Sequence, residues 1–279
     1  MGTKMILLLD SNFLCWRSFH TTGKLSHNGK PTGVIFGFLS ALRTLQEQFT
    51  PEKIGFCFDS PGKLKRHELC PTYKQRDHLP DQDRREVSEQ IQGLRCEWLK
   101  ELGYGNVFWQ EGMEADDVIA SLVHSTADDG EIVIVSADRD LWQLLRPGVQ
   151  LWNPIKQEPY SNVKFEAEWG IPVKLWPNVK ALAGCKSDNV AGIPGVGEIT
   201  AAKYFAGGLN AKKAEYIAAD RGKTISRNLP LVKLPFPGVK TFKWQEDQTS
   251  SGKWKKFCEK FGMRTLASRG LPRTRSLFQ

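Results

Sequence analysis

Aspartates follow each of three short apolar runs in this sequence. The runs are MILLL (5–9), KIGFCF (53–58) and EIVIVS (131–136), and the aspartates that follow them are Asp10, Asp59, and the pair Asp138 and Asp140. One such aspartate is most simply a turn residue or the cap of the next helix. Several at the ends of neighbouring parallel strands would meet at one edge of a sheet, where ligands bind. Both interpretations stay open at this point.

A further acidic group opens the pattern GMEADDVIASLV. Its members are Glu114, Asp116 and Asp117. Acidic residues are ordinary in a first helical turn, because the helix dipole favours them there, but three within four positions are more than a cap needs. Packed carboxylates repel one another unless a cation or bound protons neutralise them. Together with the strand-end aspartates, this group favours a divalent-metal site.

The ligand chemistry indicates which metal such a site would hold. The five histidines lie apart from the acidic clusters, and the six cysteines form no C-x-x-C pair. Carboxylates without such partners suit Mg²⁺, with Mn²⁺ as a substitute, and disfavour zinc. Several carboxylates can hold two ions about 4 Å apart, an arrangement common in phosphodiester cleavage. We therefore expect two Mg²⁺ ions.

Helical patterns alternate with the three apolar runs. They cover residues 34–48, 86–102 and 115–125. Short apolar runs separated by helices predict an α/β fold with a mostly parallel sheet. Gly and Pro cluster after about residue 160, where the helical patterns become shorter. We therefore expect a metal-binding α/β core, a smaller helical region and a basic tail, at residues 1–160, 161–270 and 271–279.

The segment GCKSDNVAGIPGVGEITAAKYF (184–205) has the spacing of two helices joined by a tight turn. Unpaired backbone N–H groups at the start of the second helix suit contact with phosphate. An ordinary helical turn capped by glycine is the alternative. We predict a DNA-binding helix-hairpin-helix at about residues 184–206. The residues expected to form its turn or contact DNA are Gly192, Gly195, Gly197 and Lys203.

The basic segment 61–85 follows Asp59 directly. Its three prolines interrupt regular structure, and long loops beside a site often act as lids. Cations here could hold a phosphate, and Tyr73 could stack on a base. A solvated charged loop is the alternative. The residues expected to contact DNA are Lys63, Lys65, Arg66, Tyr73 and Arg76.

Charge and hydropathy bound the class of protein. The formal net charge is +8, from 39 basic and 31 acidic residues among 279, which favours a polyanionic partner such as DNA. No run approaches the ~20 apolar residues of a membrane span, and the apolar run near the N-terminus is too short for a secretory signal. We expect a monomer in the cytoplasm, or in the host cytoplasm if a phage encodes it, with no membrane attachment.

Taken together, these residues resemble the 5′ nuclease family, which includes flap endonucleases, phage 5′–3′ exonucleases and the 5′ nuclease domain of bacterial DNA polymerase I. Six motifs occur in the family's order: LLLDSNFLCWRSFH, FCFDS, PTYKQR, EADD, SADRDLWQLL and SDNVAGIPGVGEITA. The resemblance implies a PIN-like sheet flanked by helices. It places Lys74 and Arg17 at the scissile phosphate, and it adds Asp188 to the ligands. The full implied metal set is Asp10, Asp59, Glu114, Asp116, Asp117, Asp138, Asp140 and Asp188.

The chain departs from the family pattern at two positions. Cys185 stands where phage and bacterial members often carry a first aspartate, and Arg139 stands where lysine is usual. The implied function is a structure-selective 5′ nuclease, both 5′–3′ exonuclease and 5′-flap endonuclease, that leaves a 5′-phosphate and a 3′-hydroxyl. K⁺ at the hairpin and an RNA–DNA hybrid substrate are further expectations. The alternatives are RNase H-type removal of RNA primers, and a non-catalytic DNA-structure-binding protein in which Cys185 marks a decayed site.

Overall fold

The computed structural model describes residues 4–75, 81–126 and 130–272. Within these ranges the strands are β1 (Lys4–Asp10), β2 (Ser26–His27), β3 (Lys30–Pro31), β4 (Lys53–Cys57), β5 (Val107–Phe108), β6 (Gly130–Val135), β7 (Val149–Asn153), β8 (Glu158–Tyr160), β9 (Gly184–Cys185) and β10 (Val190–Ala191). Six of them form the central sheet in the order β5-β4-β1-β6-β7-β8. All of its pairs are parallel except β7 with β8. The predicted mostly parallel sheet is confirmed.

Helices cover both faces of this sheet. They are α1 (Ser11–Thr22), α2 (Gly33–Phe49), α3 (Arg66–Leu69), α4 (Asp81–Gly93), α5 (Leu99–Glu101), α6 (Ala115–Ser125), α7 (Asn162–Trp169), α8 (Trp176–Ala183), α9 (Glu198–Phe205), α10 (Ala211–Ala218), α11 (Lys223–Val232), α12 (Ser251–Lys260) and α13 (Arg264–Arg269). A π-helical turn, Leu94–Trp98, joins α4 to α5. The three predicted helical patterns are confirmed as α2, the α4–α5 segment and α6.

The first helix, α1, has no clear apolar stripe in the sequence. Its buried positions are occupied by Leu14 and Cys15 but also by Ser11 and Ser18. Two hydroxyl residues on the buried face hide the 3.6-residue period on which sequence reasoning depends. The helix forms because Asp10 caps its first turn and because its buried face packs against α2.

Alternate residues of β1 face two separate apolar layers. Leu7 and Leu9 belong to a cluster with residues of α2, α4 and α12, whereas Ile6 and Leu8 belong to a cluster with residues of α6 and α8. This alternation is the two-residue period of a strand covered on both faces. Throughout the described ranges, every helix is too short or too polar to cross a lipid bilayer.

The division of the chain near residue 160 stays a prediction. Helices α7 to α11 follow the sheet, but α12 and α13 return to its first half. Trp254 and Phe257 are fully buried in the same cluster as Leu7, and the Arg43 side chain donates to the carbonyls of Arg269 and Gly270. Most of the predicted basic tail, residues 273–279, lies outside the described residues.

Candidate metal centre and nucleic-acid interface

The aspartates that end β1 and follow β4 both bind the helices that come after them. The Asp10 carboxylate accepts from the Phe13 backbone N–H at 3.0 Å and from Ser136 Oγ at 2.8 Å. The Asp59 carboxylate accepts from the Ala115 N–H at 2.8 Å. Because β1 lies between β4 and β6, these strand ends meet at one edge of the sheet. Asp10 therefore meets both interpretations, since it caps α1 and also lines a pocket at the shared edge, whereas Asp59 contacts the start of α6 rather than the next helix.

An open pocket at this edge is lined by four of the eight acidic residues predicted for the metal site. Its polar lining includes Asp10, Asp138, Asp140, Asp188, Lys74, Lys180, Cys185 and Ser187. Burial raises the pKa of Asp10 to about 7, and repulsion from Asp59 and Asp138 acts in the same direction. Burial and the charge of Asp138 likewise raise the pKa of Asp140 to about 6. The carboxylates thus lie close enough to oppose one another's ionisation.

Asp59 and Asp116 belong to the same electrostatic group. Burial raises the pKa of Asp59, and the Glu114 carboxylate raises it further. Burial also raises the pKa of Asp116 well above its usual range, and repulsion from the charges of Asp138 and Asp10 acts in the same direction. The group therefore extends from the ends of β1 and β6 to the start of α6.

Protein groups occupy both oxygens of the Asp117 carboxylate, as they also do in Glu114, whose oxygens contact Arg66, Tyr73 and Lys74. Asp117 is fully buried and is paired with the Arg66 guanidinium through both oxygens. The same oxygens accept from the Phe236 N–H at 2.7 Å and the Glu114 N–H at 3.2 Å, the latter being part of a capping box. This arrangement orients the start of α6 and leaves Asp117 poorly placed for a metal.

Two residues expected to contact DNA lie in the interior instead. Arg66 is 2% exposed and Tyr73 is 5% exposed, and the Tyr73 hydroxyl donates to Glu114 Oε2 at 3.1 Å. The structure corrects both expectations, because a charge pair with buried Asp117 and a bond to Glu114 hold these side chains inward. Lys63 and Lys65 are exposed, as a DNA contact requires, and Arg76 lies outside the described residues.

The two residues expected to act on the scissile phosphate are placed differently. The Lys74 ammonium lines the carboxylate pocket and forms an ion pair with Glu114. Burial lowers the pKa of Lys74, but the surrounding charges, Glu114 foremost, raise it well above its usual value, so the side chain stays charged. Arg17 lines a separate groove between α1 and α2, beside Pro154. The structure therefore brings Lys74 to the acidic group and does not bring Arg17 there.

Sequence reasoning missed Lys180. Its side chain is 8% exposed, and its ammonium lies 2.8 Å from Asp140 Oδ1 and 3.0 Å from Glu198 Oε1. It thereby joins the acidic pocket to the first residue of α9. The available signal was a lysine within the apolar helix α8, since a buried lysine requires an acidic partner.

Helices α8 (Trp176–Ala183) and α9 (Glu198–Phe205) flank the turn of the predicted helix-hairpin-helix, so the first helix ends before the predicted range 184–206 begins. Helices α8 and α9 pack together, with Ala201 fully buried between them. Gly195 has φ +69°, a conformation that side chains disfavour, and exposed Gly197 precedes α9, where N–H groups are free of helical partners. Lys203 is exposed on α9. A surface of this kind can contact phosphates without reading bases.

The donors of the acidic group decide which kind of ion it could hold. Among the residues that the structure describes, no three His, Cys, Asp or Glu side chains form a ready set of metal ligands. Ammonium groups neutralise Glu114 and Asp140 in this arrangement. The donors are nonetheless carboxylate oxygens whose mutual repulsion a divalent cation would relieve, and hard oxygen donors suit Mg²⁺. The residues present fit such an ion.

A parallel sheet whose carboxyl edge carries an acidic pocket, beside a helix-hairpin-helix, defines a metal-dependent enzyme that cleaves nucleic acid. Residues 5–170 match the family model described as "5'-3' exonuclease, N-terminal resolvase-like domain". The chain belongs to this family of nucleases. The 5'-3' exonuclease of Aquifex aeolicus is 36% identical over 201 residues, which cover 71% of this chain and 68% of the relative. The 5'-3' exonuclease of Bacillus subtilis is 35% identical over 216 residues, which cover 74% of this chain and 71% of the relative.

Other relatives extend the comparison. The DNA polymerase I of Pseudomonas aeruginosa is 32% identical over 79% of this chain, which spans only 24% of that protein. Among solved structures, the bacteriophage T5 5'-exonuclease with bound zinc ions superposes with a TM-score of 0.68 at 21% identity, over 83% of this chain and 90% of that one. A T5 flap endonuclease complex with DNA and metal ions superposes with a TM-score of 0.65 at 22% identity, over the same shares of the two chains. These superpositions confirm the PIN-like, resolvase-like fold.

Proposed function

We propose that this nuclease is structure-selective and cleaves DNA at free or flapped 5′ ends during replication or repair. It acts as a 5′–3′ exonuclease and a 5′-flap endonuclease, and it leaves a 5′-phosphate and a 3′-hydroxyl. The observation that carries the proposal is the acidic pocket adjoining the helix-hairpin-helix. This adjacency would place a scissile phosphate beside the carboxylates while the duplex is held through its backbone.

The cofactor proposed for this pocket is a pair of Mg²⁺ ions, with Mn²⁺ able to substitute. When bound, the ions would supply an activated water and would stabilise the developing negative charge. The residues that would hold them are Asp10, Asp59, Glu114, Asp116, Asp138, Asp140 and Asp188. Asp117 is left out of this set because Arg66 and backbone N–H groups occupy its oxygens.

The remaining groups of the pocket bind and orient the substrate. The Lys74 ammonium is charged and lies at the pocket wall, so it can pair with the scissile phosphate and stabilise charge there. Lys180 keeps Asp140 and the start of α9 together through its two ion pairs. The N–H groups at the start of α9 would hold the duplex backbone, and the exposed Lys203 in the last turn of the same helix would add a cation.

The remaining expectations concern partners and location. We propose that the protein acts as a monomer in the cytoplasm on branched or flapped DNA. A K⁺ ion at the hairpin would compete with Lys213, whose ammonium already donates to the Gly195 carbonyl at 3.1 Å. An RNA–DNA hybrid is a second candidate substrate, because both strands of a hybrid carry the phosphates that contacts of this kind bind.

The test is cleavage of a 5′-flap duplex by wild type and by Asp138→Asn. Asp138 is exposed in the pocket, and removing a metal ligand should slow cleavage by about 100-fold or more. Asp220→Asn, which alters a carboxylate on the loop before α11, is the matched control. Excess EDTA should abolish cleavage by wild type. Equal rates for wild type and Asp138→Asn would refute the proposal, and flap binding without cleavage under any metal would identify a non-catalytic DNA-binding protein.

A further inference from the structure

Asn189 connects two loops that are far apart in the sequence. Its side-chain Nδ2 donates to the carbonyl of Thr72 at 2.9 Å and to that of Gln75 at 3.1 Å. Its backbone has φ +57°, a left-handed conformation that asparagine tolerates better than most residues. Both amide hydrogens are therefore used to hold one turn of the basic segment. The acceptors are backbone carbonyls, so the contact does not depend on side chains at residues 72–75.

The turn held in this way is the one that presents Lys74. Lys74 itself has φ +51°, which a residue with a Cβ adopts only when its surroundings impose it. Its N–H donates to the Asp188 carbonyl at 3.1 Å. Three hydrogen bonds between residues 188–189 and the turn thus fix the backbone at Lys74 and on both sides of it. The same short loop carries Asp188, which lines the acidic pocket.

The opposite side of the turn is also held. The Tyr73 hydroxyl donates to Glu114, and a ring nitrogen of His67 lies 2.9 Å from the Tyr73 carbonyl. With the backbone fixed from both sides, the Lys74 side chain lines the pocket and its ammonium is directed to Glu114. A long, flexible lysine side chain reaches a defined point only if its own Cα is held, so the position of this charge depends on the turn.

We propose that Asn189 is a positioning residue for the nuclease reaction. It fixes the Thr72–Gln75 turn to the loop of Asp188, so that the Lys74 ammonium and the pocket carboxylates face the same phosphate. The inference rests on the proposed function, because it assigns Asn189 a part in cleavage through Lys74. The class of ligand served is the scissile phosphodiester of a nucleic acid.

The experiment compares Asn189→Gly, Lys74→Ala and the double variant with wild type. Glycine accepts the left-handed backbone and removes the side chain that carries the amide. Asn28→Gly is the matched control, since Asn28 has φ +52° in the exposed turn between β2 and β3. Single-turnover cleavage of a 5′-flap duplex is measured with Mg²⁺, and the dissociation constant of the same duplex is measured with Ca²⁺.

Asn189→Gly should slow single-turnover cleavage by about 10- to 100-fold, because small misplacements of a charged group are costly, while the dissociation constant changes by less than about threefold. In the Lys74→Ala background, Asn189→Gly should add less than about a threefold loss, since residues that act as a unit are not additive. Hydrogen exchange at the Lys74 amide should accelerate in Asn189→Gly. Asn28→Gly should match wild type in all three measurements.

Cleavage by Asn189→Gly at the wild-type rate, or an equal loss with and without Lys74, would overturn the inference. If Asn189→Gly does not fold, Asn189→Asp takes its place, because it keeps the shape and loses both donors. A wild-type protein that cuts no flap would instead refute the proposed function, and unchanged exchange at the Lys74 amide would then overturn the link between the two loops as well.

Discussion

Replacing Asp10 by asparagine should stabilise the metal-free protein at neutral and higher pH. Burial, with repulsion from Asp59 and Asp138, raises the pKa of Asp10 from 3.8 to about 7. A raised carboxyl pKa contributes stability that is complete below the unfolded value and is lost as pH rises through the folded value. The difference between the unfolded and folded pKa values of Asp10 corresponds to about 4 kcal/mol in the free energy of unfolding, at about 1.4 kcal/mol per pKa unit. Roughly 2–3 kcal/mol of this stabilising contribution is lost between about pH 5 and pH 8.

The substitution preserves the local contacts of Asp10. An asparagine Oδ1 can accept from the Phe13 N–H, and the Ser136 hydroxyl can turn to accept from the new amide. The assay is urea unfolding in EDTA at several pH values between about 5 and 8. The advantage of Asp10→Asn over wild type should grow by about 2–3 kcal/mol across this range, a difference in midpoint of about 1 M urea.

Metal and a control carboxylate sharpen the same measurement. At a Mg²⁺ concentration 100 times the dissociation constant of wild type, the ion should raise the free energy of unfolding of wild type by about 2.7 kcal/mol. The same concentration should stabilise Asp10→Asn by less. Asp220→Asn is the control, because a backbone hydrogen bond from Thr224 lowers the pKa of Asp220, so that its contribution is lost only at acid pH. An advantage of Asp10→Asn that stays constant or shrinks as pH rises would refute the account of the acidic pocket.

Two further predictions concern residues that hold the site in place. Arg66→Met should lower the free energy of unfolding by about 3–5 kcal/mol, because it leaves the fully buried Asp117 carboxylate without its cation; the exposed neighbour variant Lys65→Met should stay within about 0.5 kcal/mol of wild type in the same denaturant titration. Gly192→Ala should destabilise the protein by about 1–3 kcal/mol and weaken duplex binding, because its Cβ would lie 2.1 Å from a carbonyl oxygen at the end of α8. Gly197→Ala, which meets no atom within 4 Å, should fold normally, and equal stability of the two glycine variants would contradict the proposed hairpin packing.

The sequence predicted those strands and helices whose apolar residues recur without interruption. β1, β4, β6, α2 and α6 each carry a run of apolar residues at strand or helix spacing, and all are present. The short strands β5, β7 and β8 were not predicted, because β5 and β8 have only two and three residues and polar Gln150 interrupts the apolar residues of β7. They form because the edges of the existing sheet offer unpaired backbone groups.

The acidic site, too, was predicted only in its local features. The sequence by itself determined the types and the order of the acidic residues and the turn of the helix-hairpin-helix, because charge, glycine positions and strand-end spacing are local properties. Only the tertiary structure decided which carboxylates face the pocket. Asp117 turned inward because Arg66, 51 residues away, reaches it in the interior, and Lys180 and Asn189 became part of the site through partners that no local pattern reveals. Ion pairs and hydrogen bonds between distant segments depend on where the chain folds back, and that is fixed by the packing of the whole core.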